Sequence, residues 1–441
     1  MSELPKGWEI KKLSEIASTG LISDGDWVES KDQDPSGAIR LIQLADIGDG
    51  NFKDKSSRFM NEEKAALLKC TFLQTGDVLI ARMPDPLGRA CLFPELGNDC
   101  VTVVDICIVR LTPDDLMENR LLKYWLNSPA IRNLVNMQAT GTTRRRITKK
   151  KLSAFELPVP PRVEQKRISD KLDSLLAKVE AAQARLDKIP AILKRFRQSV
   201  LVAATSGELT RDWREEHGVD IDDWKQSTLS EVSICLDPNP SHRYPKADSS
   251  GVPILSTQQF VGLDSWTTDK SKLVSRDFFL ERREKTKFLE DDIIFARKGR
   301  LGLARMAPKG FDYVYSHTVF IVRASGINKE YLLWLLRQDQ TVNWLLKEMN
   351  SNTGVPTLGK AIFEKLPVPL PCEKEQVAIV GKVNGLFEHA ETVEKQYNAA
   401  KVRLDKLTQS IFAKAFKGEL LPNSIDSDIE KIENSVEALN A

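Results

Sequence analysis

A chain of 441 residues is longer than one hydrophobic core fills, since cores stop growing at about 250 to 300 residues, so two to four domains are expected. Hydrophobic residues at 41% and charged ones at 29% exclude extended disorder, apart from a tail that turns acidic and polar after Leu421. With 64 Lys and Arg against 62 Asp and Glu, the net charge is +2, so any nucleic-acid surface has to come from local arrangement.

Met1 to Lys12 lacks the apolar segment of a secretory leader, and no apolar run of about 18 residues follows, so a cytoplasmic protein that does not span a membrane is expected. Trp8 leads to Leu13-Ser14-Glu15-Ile16. Short β-rich runs, Val78 to Ala81 and Val101 to Leu111, then alternate with turns and with a helical stretch from Arg120 to Val135, a mixed α/β pattern. Asp77-Val-Leu-Ile-Ala-Arg82 closes one such run and precedes Leu87-Gly88. A basic run follows, Thr140-Gly-Thr-Thr-Arg144-Arg145-Arg146-Ile147-Thr148-Lys149-Lys150-Lys151. Pro158-Val-Pro-Pro161 reads as a break at a domain edge, because proline continues neither a helix nor a central strand. After Glu164-Gln165, apolar residues at Ile168, Leu172, Leu175, Val179, Ala182, Leu186, Ile189, Leu193, Phe196 and Val200 alternate by four and three, a coiled-coil seam. Pro190 is expected to kink that helix near its middle.

The plan is then written again. Trp224 lies 216 positions after Trp8 and leads to Leu229-Ser-Glu-Val232, and Asp292-Ile-Ile-Phe-Ala-Arg297 repeats the arginine-ended run before Leu301-Gly302. The runs Ile293 to Ala296 and Val314 to Val322 and the helical stretch Lys329 to Met349 repeat the α/β pattern. Leu366-Pro-Val-Pro369, Glu375-Gln376, Gln409-Ser410 and Gly418-Glu-Leu420 match Leu157 to Pro160, Glu164-Gln165, Gln198-Ser199 and Gly207-Glu-Leu209. A second seam, Ile379, Val383, Leu386, Ala390, Val393, Tyr397, Ala400, Leu404, Leu407 and Ile411, follows the first residue for residue at 211 positions. This is a tandem duplication of about 210 residues. Two stripes that would each be exposed alone are expected to bury against one another. The expected fold is two tandemly duplicated mixed α/β domains joined by two long helices that form an antiparallel intramolecular coiled coil. Its parts are a first domain over 1–157, a first helix region over 158–208, a linker over 209–223, a second domain over 224–366, a second helix region over 367–420 and a tail over 421–441.

Gly76 to Arg82, the Thr140-Gly141 and Thr353-Gly354 segments, Pro158-Val-Pro-Pro161 with Glu164-Gln165, and the run Ile189 to Ser199 resemble the specificity subunits of type I restriction-modification systems, the last run the enterobacterial type IA group. The resemblance covers about residues 1 to 420. It implies a non-catalytic subunit of an antiviral defence system, in which two target-recognition domains read the halves of an asymmetric site in double-stranded DNA across an unread spacer. It also implies that the helices set the spacing and dock two methyltransferase and two restriction subunits. S-adenosylmethionine, ATP and Mg²⁺ are then expected on those partners and none on this chain.

Within the basic run, Arg144, Arg145, Arg146, Lys149 and Lys150 are candidates for phosphate contact, because clustered cations gain affinity by releasing counterions. A solvated loop or a partner-docking patch is the alternative. Arg82 and Arg89 in the first copy, with Arg297, Lys298 and Arg300 in the second, are candidates for base or phosphate contact, since a guanidinium reads guanine bidentately. Surface ion pairing is their plainer role. Gln43, Gln258 and Gln259 follow matching apolar runs, and a glutamine amide pairs with adenine, although solvated turn amides are the simpler reading. Gly354 to Lys360 has phosphate-loop spacing, but Ala361 lacks the hydroxyl needed for Mg²⁺ and Pro356 removes a backbone donor. Neither Glu62-Glu63-Lys64 nor the scattered His217, His242, His317 and His389 supports a nuclease or metal site. The competing reading is a coiled-coil scaffold for proteins alone, which explains the seams but not two similar, non-identical domains.

Overall fold

The structure, a computed structural model, describes residues 4–142, 144–349 and 357–420. The chain divides into two units, Met1–Asp187 with Gln396–Ala441, and Lys188–Lys395. The expected tail over 421–441 lies outside the described residues. Among the described residues no helix is long and apolar enough to cross a membrane.

In the first unit, a four-stranded antiparallel sheet runs in the order Leu21–Asp24, Ile106–Arg110, Val78–Ala81, Ala90–Leu92. A three-stranded sheet places Ile39–Ile42 between Arg58–Met60 and Cys100–Thr102, the latter pair parallel. Val78–Ala81 is buried throughout because the four-stranded sheet is covered on both faces. Val78 and Ile80 enter one core with Leu121 and Trp125, while Leu79 and Ala81 enter another with Ile42 and Phe93, the period-two alternation of a strand. The helical stretch expected over Arg120 to Val135 is two helices, Asn119–Asn127 and Pro129–Gln138. Ser128 caps the second through its hydroxyl, and Pro129 sits in its first turn, where a missing N–H breaks no helical bond.

The second unit repeats both sheets, with Ser233–Leu236, Val319–Ala324, Ile293–Ala296 and Ala304–Met306 in one, and Leu273–Val274, Val252–Leu255 and Val314–Tyr315 in the other. It adds a hairpin, Phe260–Val261 with Ser265–Trp266. Here too the expected single helical stretch is two helices, Lys329–Leu336 and Asp339–Glu348.

The proline-rich segments begin as strands, against expectation, and break only at Pro160-Pro161 and Pro371, ahead of the helices. Glu156–Val159 pairs antiparallel with Glu9–Lys12, and Pro367–Leu370 pairs likewise with Lys225–Thr228. Each ribbon has two strands only, so both are edges, where a proline can turn its missing N–H away from the partner. The Glu-Gln pairs secure these ribbons to the helices. Trp8 Nε1 donates to Glu164 at 2.9 Å, and Trp224 Nε1 to Glu375 at 2.8 Å. Gln165 accepts from the Glu118 N–H and donates to the Pro160 carbonyl; Gln376 does the same with Asn328 and Pro371. Gly418, at φ +72°, lies where a Cβ would come within 2.5 Å of Pro5, so the repeated Gly-Glu-Leu reflects a close approach that only glycine permits. The expected linker contains a helix, Arg211–His217, held by a buried ion pair of Arg214 with Glu375 at 2.8 Å.

In the first unit, Ile168, Leu172, Leu175, Val179, Ala182 and Leu186 of the helix Arg162–Leu186 share a core with Ala400, Leu404, Leu407 and Ile411 of the 44-residue helix Glu373–Phe416. Phe416 meets Trp125 at 4.0 Å, and that indole donates to Pro158, just before Arg162–Leu186 begins, so the two helices run antiparallel. In the second unit, Val200, Leu201 and Ala204 of Ile189–Thr205 pack with Ile379, Val383 and Phe387. There Arg197 pairs with Glu394 at 2.7 Å and the Leu209 carbonyl accepts from Lys382 at 3.0 Å, so one segment advances as the other recedes. Pro190 does not kink a continuous helix. The first helix ends at Leu186 and the next starts at Ile189, with the proline in its opening turn. Phe196, expected in the seam, is 38% exposed, while Leu201 is buried; Leu386, Val393 and Tyr397 are half-buried while Phe387 is buried. A helix of 3.6 residues per turn drifts against a strict seven-residue repeat, and here the buried stripe shifts by one position.

Candidate nucleic-acid interface

The basic run hangs from one end of the four-stranded sheet. Ile147, fully buried, donates its N–H to the Arg82 carbonyl at 3.1 Å, and Arg82 Nε donates back to the Ile147 carbonyl at 3.0 Å. Thr140 and Arg146 pair across the loop, and Thr148 caps the short helix Lys149–Ser153. Arg146 is held to Asp105 at 3.2 Å and to the Val104 carbonyl, and Lys151 to the Gln138 carbonyl at 2.6 Å. Arg144, Arg145 and Lys150 are exposed, and Lys149 is half-buried. Arg145 donates to the Asn136 carbonyl, whereas Arg144, Lys149 and Lys150 have no anionic partner among the described residues. The loop therefore presents cations to solvent on a rigid base. In the second unit Leu358 repeats the anchor, donating to the Arg297 carbonyl at 2.9 Å and accepting from Arg297 Nε at 3.1 Å. Thr353-Gly354 and Pro356, at the matching place in the sequence of the second copy, lie outside the described residues. Gly359 caps the short helix Lys360–Phe363.

The arginines that end the repeated strands serve the interior. Arg82 is 5% exposed and pairs with Asp24; Arg297 pairs with Asp237 at 2.6 Å and lies over the Phe320 ring at 4.2 Å. Arg89 is buried and gives its N–H groups to the carbonyls of Ile47, Leu44, Pro86 and Met83. Burial, reinforced by the Arg132 charge, pulls its pKa below the ordinary guanidinium value. Arg300 does in the second unit what Arg89 does in the first, tying down the matching turn through the Thr257 and Phe260 carbonyls at 3.3 and 3.2 Å. It is more exposed than Arg89, and neighbouring Lys298 pairs through its backbone with Thr357.

Those two turns carry the glutamines. Gln43 precedes the turn Leu44–Asp46, and its side-chain NH₂ group has no partner among the described residues. Asp46 fixes the turn by accepting from the backbone N–H groups of Gln43, Lys55 and Ser56, each at 2.7 Å. Burial raises the Asp46 pKa, but these bonds and the Ser56 hydroxyl outweigh it and hold the carboxyl below its ordinary value. In the second unit Gln259 takes the place of Asp46, accepting from Ser256 N–H and hydroxyl at 3.0 and 2.7 Å; it is buried, whereas Gln258 projects into solvent.

Two polar groupings are invisible in sequence. Beside Gln43 lies an open groove of about 510 Å³, lined also by Gln33, Arg58 and Asp105. In the second unit His242 and His317, 75 residues apart, stack at 4.4 Å. Tyr244 Oη accepts the His317 backbone N–H at 3.0 Å and lies 3.0 Å from His317 Nδ1. Burial, with the charges of His242, Lys298 and Arg297, holds the His317 imidazole below its ordinary pKa. No cluster of three or more metal-ligating residues occurs among the described residues. Both groupings involve residues 25–38 and 237–250, the segments where the copies diverge between matched landmarks. That divergence was the available signal.

Two stretches of the chain, residues 5–191 and 221–401, match the type I restriction modification DNA specificity domain, one in each copy. The chain is 30% identical over 457 residues to the type I restriction enzyme EcoKI specificity subunit of Escherichia coli (strain K12), covering 99% of this chain and 95% of that one. It is 31% identical over 325 residues to the StySPI specificity subunit of Salmonella potsdam, covering 70% and 67%. A solved structure described as the basis of complex assembly and conformational transition of the type I R-M system superposes with a TM-score of 0.69 at 18% identity, covering 95% of this chain and 100% of that one. The HsdS subunit from Thermoanaerobacter tengcongensis superposes with a TM-score of 0.54 at 17% identity, covering 95% and 98%. At such identities the structural likeness is one of fold.

Proposed function

Because the chain belongs to the type I restriction-modification DNA specificity family, we propose that it reads a two-part asymmetric site in double-stranded DNA, one half with each recognition domain, and brings methyltransferase and restriction subunits to that site. The observation that carries this reading is duplication with local divergence. The two frameworks share their Arg–Asp pillars, Arg82 with Asp24 and Arg297 with Asp237, and their Trp–Glu fastenings. What they present beside those pillars differs: a run of arginines and lysines in the first domain, a histidine pair with Lys298 and Arg300 in the second. Matched frames with unlike polar surfaces suit two unlike half-sites.

In this proposal Arg144, Arg145, Lys149 and Lys150 hold phosphates, and Gln43 and Gln258 approach base edges. Arg82, Arg89, Arg297 and Gln259 hold the framework, their polar groups being engaged inside the protein. The helical segments set the gap between half-sites and dock two methyltransferase and two restriction subunits, which carry S-adenosylmethionine, ATP and Mg²⁺. This chain then positions the reaction and performs none of its bond-making steps.

The test is equilibrium DNA binding by the chain complexed with its methyltransferase, over a range of salt. Arg144→Ala, Arg145→Ala and Lys150→Ala combined should weaken binding to every sequence and make the log–log salt slope shallower by roughly 0.9 for each phosphate no longer neutralised. An unchanged slope would contradict phosphate binding by this loop. No DNA binding by the wild-type complex would return the chain to a protein scaffold.

A further inference from the structure

We propose that the groove beside Gln43 is the base-reading site of the first recognition domain, with Gln33, Gln43 and Arg58 as its specificity-determining residues and Trp27 on its rim. This rests on the DNA-reading function proposed above and names the residues that would perform it.

Three features carry the inference. The first is unspent hydrogen-bonding capacity. The Gln43 NH₂ group is unpartnered among the described residues, and Gln33 accepts only a long 3.4 Å contact from the exposed Arg58, leaving its own NH₂ group and most of the guanidinium free. A glutamine amide matches adenine N6 and N7, and an arginine fork matches guanine O6 and N7, so the groove offers a reader for either purine. The second is preorganisation. Asp46 pins the Gln43 turn from inside through three backbone N–H groups, and Arg89 clamps the Leu44 and Ile47 carbonyls of the same turn at 2.7 and 2.6 Å. A turn whose backbone is held this firmly adds no loop-ordering cost on binding.

The third is position. Asp105 lines the groove and pairs with Arg146 at 3.2 Å, so one wall of the groove is also an anchor of the basic run. A base-reading groove whose wall anchors the run proposed to hold phosphates suits a DNA backbone that flanks the base edges being read. Trp27 is 67% exposed, and its indole N–H is tethered at 3.2 Å to Glu29 of the groove wall. A large flat side chain held outward beside a polar groove presents a surface for a sugar or a thymine methyl. The matched turn of the second domain has Ser256 in place of Gln43, so this groove reads the first half alone.

The experiment maps methylated sites in a random-sequence DNA library, using the complete methyltransferase complex. The wild type should give a two-part motif. Gln43→Ala and Gln33→Ala should relax base preference on the order of ten-fold at one or two positions of one half, with the other half and complex assembly unchanged. Arg58→Gln, a change on an exposed side chain, decides the matter if the glutamine variants fail to assemble. An intact motif in all three variants overturns the groove assignment while leaving DNA reading in place. Loss of assembly in the Arg58→Gln variant would make the groove a protein contact and overturn it as well. A wild type without any motif overturns the DNA-reading function itself.

Discussion

Arg82, Arg89 and Arg297 show how a residue type can point to DNA while its surroundings point inward. The acceptors Ile147 and Asp24 of Arg82 and Leu358 and Asp237 of Arg297 lie 58 to 65 positions away in sequence, and Arg89 reaches Ile47 and Leu44, 42 and 45 positions away, so no local pattern reveals these pairings. Arg144, Arg145 and Lys150 crowd into one short basic stretch that contains no acidic residue to pair with them, and their exposure was legible from that composition alone. Glu375 is the residue whose loss should cost most. It is fully buried and accepts at 2.8 Å from Trp224, Arg214 and Thr210. Glu375→Ala strands the buried Arg214 guanidinium and should lower stability by about 3–5 kcal/mol. Glu164→Ala removes one bond from a half-buried carboxylate and should cost about 1 kcal/mol, so urea midpoints of the two variants should separate clearly. His317 sets a pH dependence. Its imidazole resists protonation in the folded state, so the unfolded chain binds more protons as pH falls through the ordinary imidazole value of 6.5. The stability contribution is therefore present above that value and lost below it. Thermal unfolding from about pH 7.5 to about 5.5 should show a smaller loss for His317→Gln than for wild type; equal losses would show that His317 does not set this dependence.

At the scale of elements, the heptad stripes named most of the buried helix positions because a seam's period is local, but not where it drifts. Leu175 is fully buried while Phe196 is 38% exposed, although both satisfy the same alternation. Leu175→Asp should therefore destabilise the first unit by several kcal/mol, since it buries an unpaired carboxylate, whereas Phe196→Ser gives up a partly exposed ring and should cost less, on the order of 1–2 kcal/mol. Equal effects in thermal unfolding would show that the stripe has no preferred face. The edge strands within the proline-rich segments are hidden in the sequence for a related reason. Whether a proline ends structure or sits in an edge strand depends on a partner 148 residues away, as Ile10 is from Pro158, and sequence spacing carries no information about that pairing.

For the whole molecule, the repeat was the most informative feature of the sequence, because matched landmarks in matched order expose a common framework before any element is assigned. The same comparison shows where the copies part, at residues 25–38 against 237–250 and at the basic run against its short counterpart. The segment 25–38 contributes Glu29 and Gln33 to the groove beside Gln43, and 237–250 contributes His242 to the His242–His317 stack. What the repeat could not supply is which divergent side chains converge in space. The proposed function requires two similar frames to read two unlike half-sites. Its most direct test is to purify the chain with its methyltransferase and map every methylated position in a random-sequence DNA library. The predicted result is one asymmetric motif in two parts separated by a gap of fixed length and free composition. A symmetric motif, a single continuous one, or methylation without sequence preference would contradict it.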